Sequence, residues 1–186
     1  MGIAYFRGRY IDERDCCILV QSPAVIYGKG LFETMKANKG KTEYLKDHIL
    51  RMTKSASLLN MPGISFRDKK IENIITELLG RNGLLRRLAK VKMFLLAQDE
   101  GVSALLVTAE KYAYPAPKYY THGARLRTAP HPRNSHWAKF KMTSYAPYAC
   151  LTKIARDKGY YDSLLLDESG MFLECACLLY TSPSPR

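Results

Sequence analysis

Apolar positions along the first 112 residues follow two periods, and the switch between them lays out the elements. Residues 3–11, IAYFRGRYI, alternate on either side of Gly8 and predict a β-hairpin turning there. Residues 31–45, LFETMKANKGKTEYL, predict a second hairpin with Asn38-Lys39-Gly40 as its turn. The period then lengthens. Ile49, Met52, Ala56 and Leu59 share one helical face over 48–60, with Asp47 as candidate N-cap and Pro62-Gly63 as the stop. Ile71, Ile74, Ile75, Leu78 and Leu79 define a second helix, closed by Gly80 and Gly83. Two apolar runs of strand length follow, AKVKMFLLA (89–97) and SALLVTAEKY (103–112).

Residues 113–123, AYPAPKYYTHG, break the pattern with prolines and tyrosines and read as a connection between domains. Beyond it, 124–130 predicts a strand, 131–143 an irregular basic segment, and 144–159 a helix starting at Ser144, with Pro147 tolerable in its first turn. YDSLLLD, a turn at 167–170 and MFLECA then predict a hairpin, whose pleat places Glu174 on the same face as Phe172. The fold class is α+β, with an N-terminal α+β domain over 1–115 and the start of a strand-rich second domain over 116–176.

Composition narrows the class without naming a chemistry. A chain that is 47% hydrophobic and 25% charged is globular, not disordered. No apolar run has the length of a membrane span, and the N-terminus lacks a signal peptide's apolar core. With the five cysteines unpaired in number and not spaced as zinc ligands, reduced thiols in the cytoplasm are the simple expectation. The net charge of +12 favours anionic partners and keeps a basic nucleic-acid-binding module open as a different class, although the basic residues are spread along the chain. The four histidines form no metal motif, and no GxSxG is present. YGKG (27–30) is too short for a phosphate loop and reads as a turn needing two flexible residues.

Three ordinary-looking residues gain meaning together. Arg51 sits one step off a helical apolar stripe, Lys141 lies among aromatics in AKFKMTSY, and Glu174 interrupts an apolar strand. Pyridoxal 5′-phosphate needs a lysine to form an imine, a carboxylate against its pyridine nitrogen and a cationic clamp for its phosphate. These three residue types would supply that set, although chemistry alone does not single them out from 29 basic and 17 acidic residues.

Residues 27–62, YGKGLFETMKANKGKTEYLKDHILRMTKSASLLNMP, resemble the N-terminal signature of the class IV aminotransferases. These are fold-type IV pyridoxal-phosphate enzymes that include branched-chain and D-amino acid aminotransferases and aminodeoxychorismate lyases. PRNSHWAKFKMTSYAPYACLTKIARDKGYYDSLLLDESGMFLECA (132–176) resembles the second signature, in the same order. The resemblance implies a homodimeric cytoplasmic enzyme whose C-terminal domain is a barrel-like α/β domain, incomplete in this chain. It implies Arg51 for the cofactor's phosphate, Lys141 for the imine and for general base catalysis, with Lys139 as the rival lysine, and Glu174 for the pyridine nitrogen. Tyr145 falls where the cofactor's phenolic oxygen is bound, and Phe32 where the substrate pocket is lined. LFET and the RNSH approach to the lysine lean toward 4-amino-4-deoxychorismate lyase, which releases pyruvate and p-aminobenzoate. The alternative is a branched-chain or D-amino acid aminotransferase.

The chain departs from the family pattern in three places. Lys29 replaces the acid usual between the two glycines, and LLAQDEG (95–101) lacks the arginine that in several members helps bind a substrate carboxylate. Family members also run on beyond the glutamate, whereas CLLYTSPSPR (177–186) matches one reading frame of a transposon-end adapter. Residues 177–186 are therefore expected to be non-native read-through, and the chain a C-terminally truncated, inactive fragment.

Overall fold

Period-two alternation in GLFETMKAN becomes β3 (Gly30–Asn38), the strand on which the rest of the N-terminal unit is built. The computed structural model describes residues 2–61, 67–99, 102–133, 137 and 139–176, and the chain divides into two units. The first comprises Met1–Tyr114 with Phe140–Ser144, the second Pro115–Lys139 with Tyr145–Arg186. Phe140–Ser144 lie within the stretch that the sequence reading assigned whole to the second domain, yet they group with the first unit.

In the first unit β1 (Ile3–Phe6), β2 (Arg9–Asp12), β3, β4 (Lys41–Thr42), β5 (Leu88–Asp99) and β6 (Val102–Lys111) form one antiparallel sheet in the order β2-β1-β6-β5-β3-β4. A short helix, α1 (Pro23–Ile26), precedes β3. Helices α2 (Leu45–Leu58) and α3 (Asp68–Arg81) supply the apolar partners for one face of the sheet. Ile49 and Met52 of α2 and all five predicted apolar residues of α3 are buried with Leu31, Met35, Val91, Met93 and Leu95 in one core. Strict alternation sends Leu31, Met35 and Ala37 to that core and turns Phe32, Thr34 and Lys36 to the other face.

Both expected hairpins form, and each turns through two residues of positive φ: Arg7 and Gly8 at 49° and 87°, Lys39 and Gly40 at 48° and 77°. Such turns match the twist of paired strands, but a side chain in this left-handed region costs about 1–2 kcal/mol relative to glycine. Helix boundaries differ from expectation. Tyr44, in the left-handed conformation, is the residue before α2, so Asp47 is not its cap and sits instead in the first turn. Its carboxylate still complements the helix dipole there. Gly80 lies inside α3, and Gly83 makes the exit at φ 65°. The predicted stop at Pro62-Gly63 falls outside the described residues.

The second unit contains α4 (Lys118–Thr121), β7 (Leu126–Thr128), α5 (Ala146–Asp157), β8 (Asp162–Leu166) and β9 (Phe172–Cys175). β7 and β8 are parallel and β9 is antiparallel to β8. A parallel pair needs a crossover, and α5 lies within this one. α5 begins at Ala146, with Tyr145 at the cap, not at Ser144. Asp162, 1% exposed, is held by Thr152 Oγ1 of α5 at 2.7 Å and by the Ser163 amide at 2.8 Å, while Ser163 Oγ donates to the Leu151 carbonyl. A bulge pairs Glu174 with Leu165 and Phe172 with Leu166. Consecutive residues of β8 face opposite ways, so Glu174 and Phe172 do not share a face as the plain pleat predicted.

Candidate active site

The order of side chains on β3 explains how Glu33 and Arg51 are placed. Glu33 follows Phe32, and the pleat turns it to the helix-covered face, where it is 1% exposed. A carboxylate so buried needs charged or hydrogen-bonding partners. α2 supplies two of them, three residues apart on one helical face. His48 Nδ1 lies 2.7 Å from Oε2, and Arg51 donates from Nε to Oε1 at 2.7 Å and from Nη2 to Oε2 at 2.5 Å. Burial pushes the Glu33 carboxyl up, but the bonds from Arg51 and His48 outweigh it and hold it below its ordinary value. Arg51 is held above its own ordinary value chiefly by the same carboxylate. The side chain of Arg51 stays 44% exposed, and its Nη1 edge is not used by Glu33.

Lys141 is fixed by the neighbouring residues of the same strand. The Phe32 amide donates to the Lys141 carbonyl at 2.8 Å, the Thr143 amide donates to the Gly30 carbonyl at 2.9 Å, and Leu31 and Met142 form an antiparallel bridge between them. Thr143 Oγ1 also donates to the Gly28 carbonyl at 3.0 Å. Residues 141–143 are thus a strap laid along the start of β3. The two glycines of YGKG have different reasons to be there. Gly28 has φ 62°, whereas a Cβ on Gly30 would stand 2.6 Å from Thr143 Oγ1. Only Gly28 needs glycine's conformational freedom; Gly30 makes room for the strap. Lys141 Nζ lies 4.7 Å from the centroid of the Phe32 ring, which in turn stacks with Phe94 at 6.2 Å.

In the second unit Glu174 forms an ion pair with Arg133, whose guanidinium lies 4.8 Å from the Tyr148 ring centroid. The Tyr145 hydroxyl donates to the Ala176 carbonyl. The sequence reading thus named Phe32, Arg51, Lys141, Tyr145 and Glu174, of which the first unit brings Phe32 to Lys141. It missed Glu33, His48 and Arg133. Glu33 carried a signal: the alternation that buries Leu31 and Met35 also buries the acid between them. Arg133, in an irregular segment, carried none.

Each unit carries residue types that suit pyridoxal phosphate: in the first, Arg51 keeps a guanidinium edge that Glu33 does not use and Lys141 carries an amine on a backbone-anchored strap; in the second, Glu174 carries a carboxylate paired with Arg133.

The family model described as amino-transferase class IV matches residues 30–178. The chain belongs to this family. It is 32% identical over 80 residues to a Methanocaldococcus jannaschii protein named "Putative branched-chain-amino-acid aminotransferase", an alignment covering 43% of this chain and 27% of that one. Its fold resembles the T.th. branched-chain amino acid aminotransferase with pyridoxamine 5′-phosphate, at 26% identity and TM-score 0.79, covering 94% of this chain and 62% of that one. It also resembles the Escherichia coli branched-chain amino acid aminotransferase, at 18% identity and TM-score 0.80, over 94% and 62% of the two chains. The chain therefore spans less than two thirds of these relatives' length, and its fold is that of the fold-type IV enzymes. All three relatives are named as aminotransferases, so the lean toward the lyase gains nothing from them; Asn134–His136, on which it partly rested, lie outside the described residues, as do 177–186. Among the described residues no helix is long and apolar enough to cross a membrane, and no group of three or more His, Cys, Asp and Glu could hold a metal ion.

Proposed function

We propose that the protein is a pyridoxal-phosphate-dependent aminotransferase of the branched-chain type. The observation that carries this is the class IV match over residues 30–178, together with similar proteins named as branched-chain aminotransferases; within the first unit, Phe32 fastens the Lys141 strap and Glu33 fastens Arg51. When bound, the cofactor supplies an electron sink for chemistry at the amino acid's α-carbon. With the cofactor bound, Lys141 Nζ would hold it and would take and return the substrate's α-proton. Arg51 would hold the phosphate, Glu174 would accept the pyridine N–H, Tyr145 would serve the phenolic oxygen, and Phe32 would line the substrate pocket. A homodimer is part of the same reading, as the resemblance implies.

The test is borohydride reduction of the protein with pyridoxal phosphate, followed by peptide mass mapping. An adduct at Lys141 that is absent from Lys141→Ala supports the assignment and overturns the expectation of an inactive fragment; labelling confined to other lysines overturns the assignment. Glutamate formed from leucine and 2-oxoglutarate supports the aminotransferase. Pyruvate released from aminodeoxychorismate without any acceptor moves the reading to the lyase.

A further inference from the structure

A cavity of about 560 Å³ opens on the helix-covered face of the first unit's sheet, beside the β1–β2 turn. Leu19, Ile71, Ile74 and Leu105 give it apolar walls. Its polar side chains are Tyr5, Arg7, Lys70, Gln98 and Ser103, all able to donate a hydrogen bond, and no acidic side chain among the described residues lines it.

Two features there point to a ligand. Gln98 is 1% exposed; its Oε1 accepts from the Arg7 guanidinium, while its Nε2 has no hydrogen-bond partner among the described residues. The buried Ser103 Oγ is in the same condition. Buried donors are almost always matched, so a pair of unmatched ones at one cavity asks for an acceptor. The bulge in the β5–β6 hairpin helps place them. Ala97 pairs with Ser103 and Asp99 with Val102, leaving Gln98 as the extra residue. The second feature is Arg7, a long side chain at a turn position of φ 49° where asparagine or glycine is the easy choice. Strained backbone of this kind is a pointer to function when the side chain it carries meets a site.

We infer that this cavity binds a small aliphatic carboxylate. The carboxylate accepts from Arg7, Gln98 Nε2 and Ser103 Oγ, with Lys70 adding positive charge, and the hydrocarbon tail lies along Ile71, Ile74 and Leu105. A strongly hydrated anion with no hydrocarbon part, such as inorganic phosphate, gains nothing from those walls, and an alcohol gains nothing from the cations. The site is separate from the lysine: β3 and β5 turn Leu31 and Leu95 toward the helices, and Phe32 and Phe94, beside Lys141, the other way. It does not depend on the proposed function.

Hexanoate, hexanol and inorganic phosphate would each be titrated into the full chain while the Gln98 side-chain amide is followed by ¹H–¹⁵N NMR. Hexanoate is expected to shift it saturably, and the other two not. Arg7→Gly removes the cation while relaxing the turn, so it keeps the fold; Gln98→Leu removes the unmatched donor. Each is expected to weaken hexanoate about tenfold or more, the usual effect of losing a hydrogen bond to a charged group. No saturable shift, equal shifts with hexanol or phosphate, or hexanoate binding unchanged in a folded Arg7→Gly chain would overturn the assignment.

Discussion

Arg51 grips Glu33 through two parallel hydrogen bonds, 2.7 Å and 2.5 Å long, around a carboxylate that is 1% exposed. The fork fixes the direction of a side chain that would otherwise sample many rotamers, and it ties α2 to β3. Glu33→Gln keeps the shape but leaves the guanidinium without its counter-charge. It is expected to lower unfolding stability by about 1–3 kcal/mol, read from urea denaturation, the range for a lost hydrogen bond to a charged group. A change below a few tenths of that would mean the pair is decorative.

The same pair sets an acid limit. Glu33 titrates at about 4.5 when unperturbed and lower in the folded protein. Above that value both states carry the charge and the pairing contributes fully. As pH falls below 4.5 the unfolded chain takes up the proton first, and this part of the stability is lost as pH drops through the folded value. Denaturant midpoints between pH 3 and pH 6 are expected to fall less steeply in Glu33→Gln than in the wild type.

Tyr10 sets an alkaline limit of opposite sign. Burial, and then its bond to Glu77, raise the phenol from 10.0 to about 12. Its contribution is complete below pH 10 and is lost as pH rises from there toward the folded value, because the unfolded chain releases its proton first. Tyr10→Phe should flatten stability against pH across that interval, as measured by denaturation at stepped alkaline pH.

Gly30→Ala tests the strap. Its Cβ would lie 2.6 Å from Thr143 Oγ1 and 3.0 Å from Leu96 Cδ2, so the strap or the strand must shift. The expected cost is about 1–3 kcal/mol, as for overpacking elsewhere, with Lys141 labelled faster by an amine reagent. Thr143→Ala in the same chain removes the crowding atom and should recover part of both effects.

Thr152→Val tests the second unit's buried network. It removes the 2.7 Å donor to Asp162, which is 1% exposed. A loss of about 1–3 kcal/mol in thermal or urea unfolding is expected, with Thr152→Ser recovering most of it.

What could be read from the sequence followed the range of the interactions involved. The apolar spacing of α3 and the two hairpin turns are local, and they formed where periodicity and turn chemistry placed them. Caps were less legible: Asp47 has the chemistry of one, but Tyr44 takes the left-handed conformation that starts α2. The site was named by resemblance, while its supports were not. Glu33 could have been found by asking what neutralises an acid on a buried face. Arg133 and the bulge before Glu174 depend on tertiary pairing, which no local pattern announces.

Because residues 141–143 hydrogen-bond along β3, the start of that strand works as a ruler for a lysine more than a hundred positions downstream. A residue added or lost in the connection at 112–116, outside any strand or helix, can be absorbed before the strap is reached. One inserted between Gly28 and Phe32 moves the marks themselves, and a one-step slip in pairing turns each side chain to the other face. The placement of Lys141 is thus inherited from the register of a distant strand, and tolerance to insertions should be sharply unequal on the two sides of the chain that meet there.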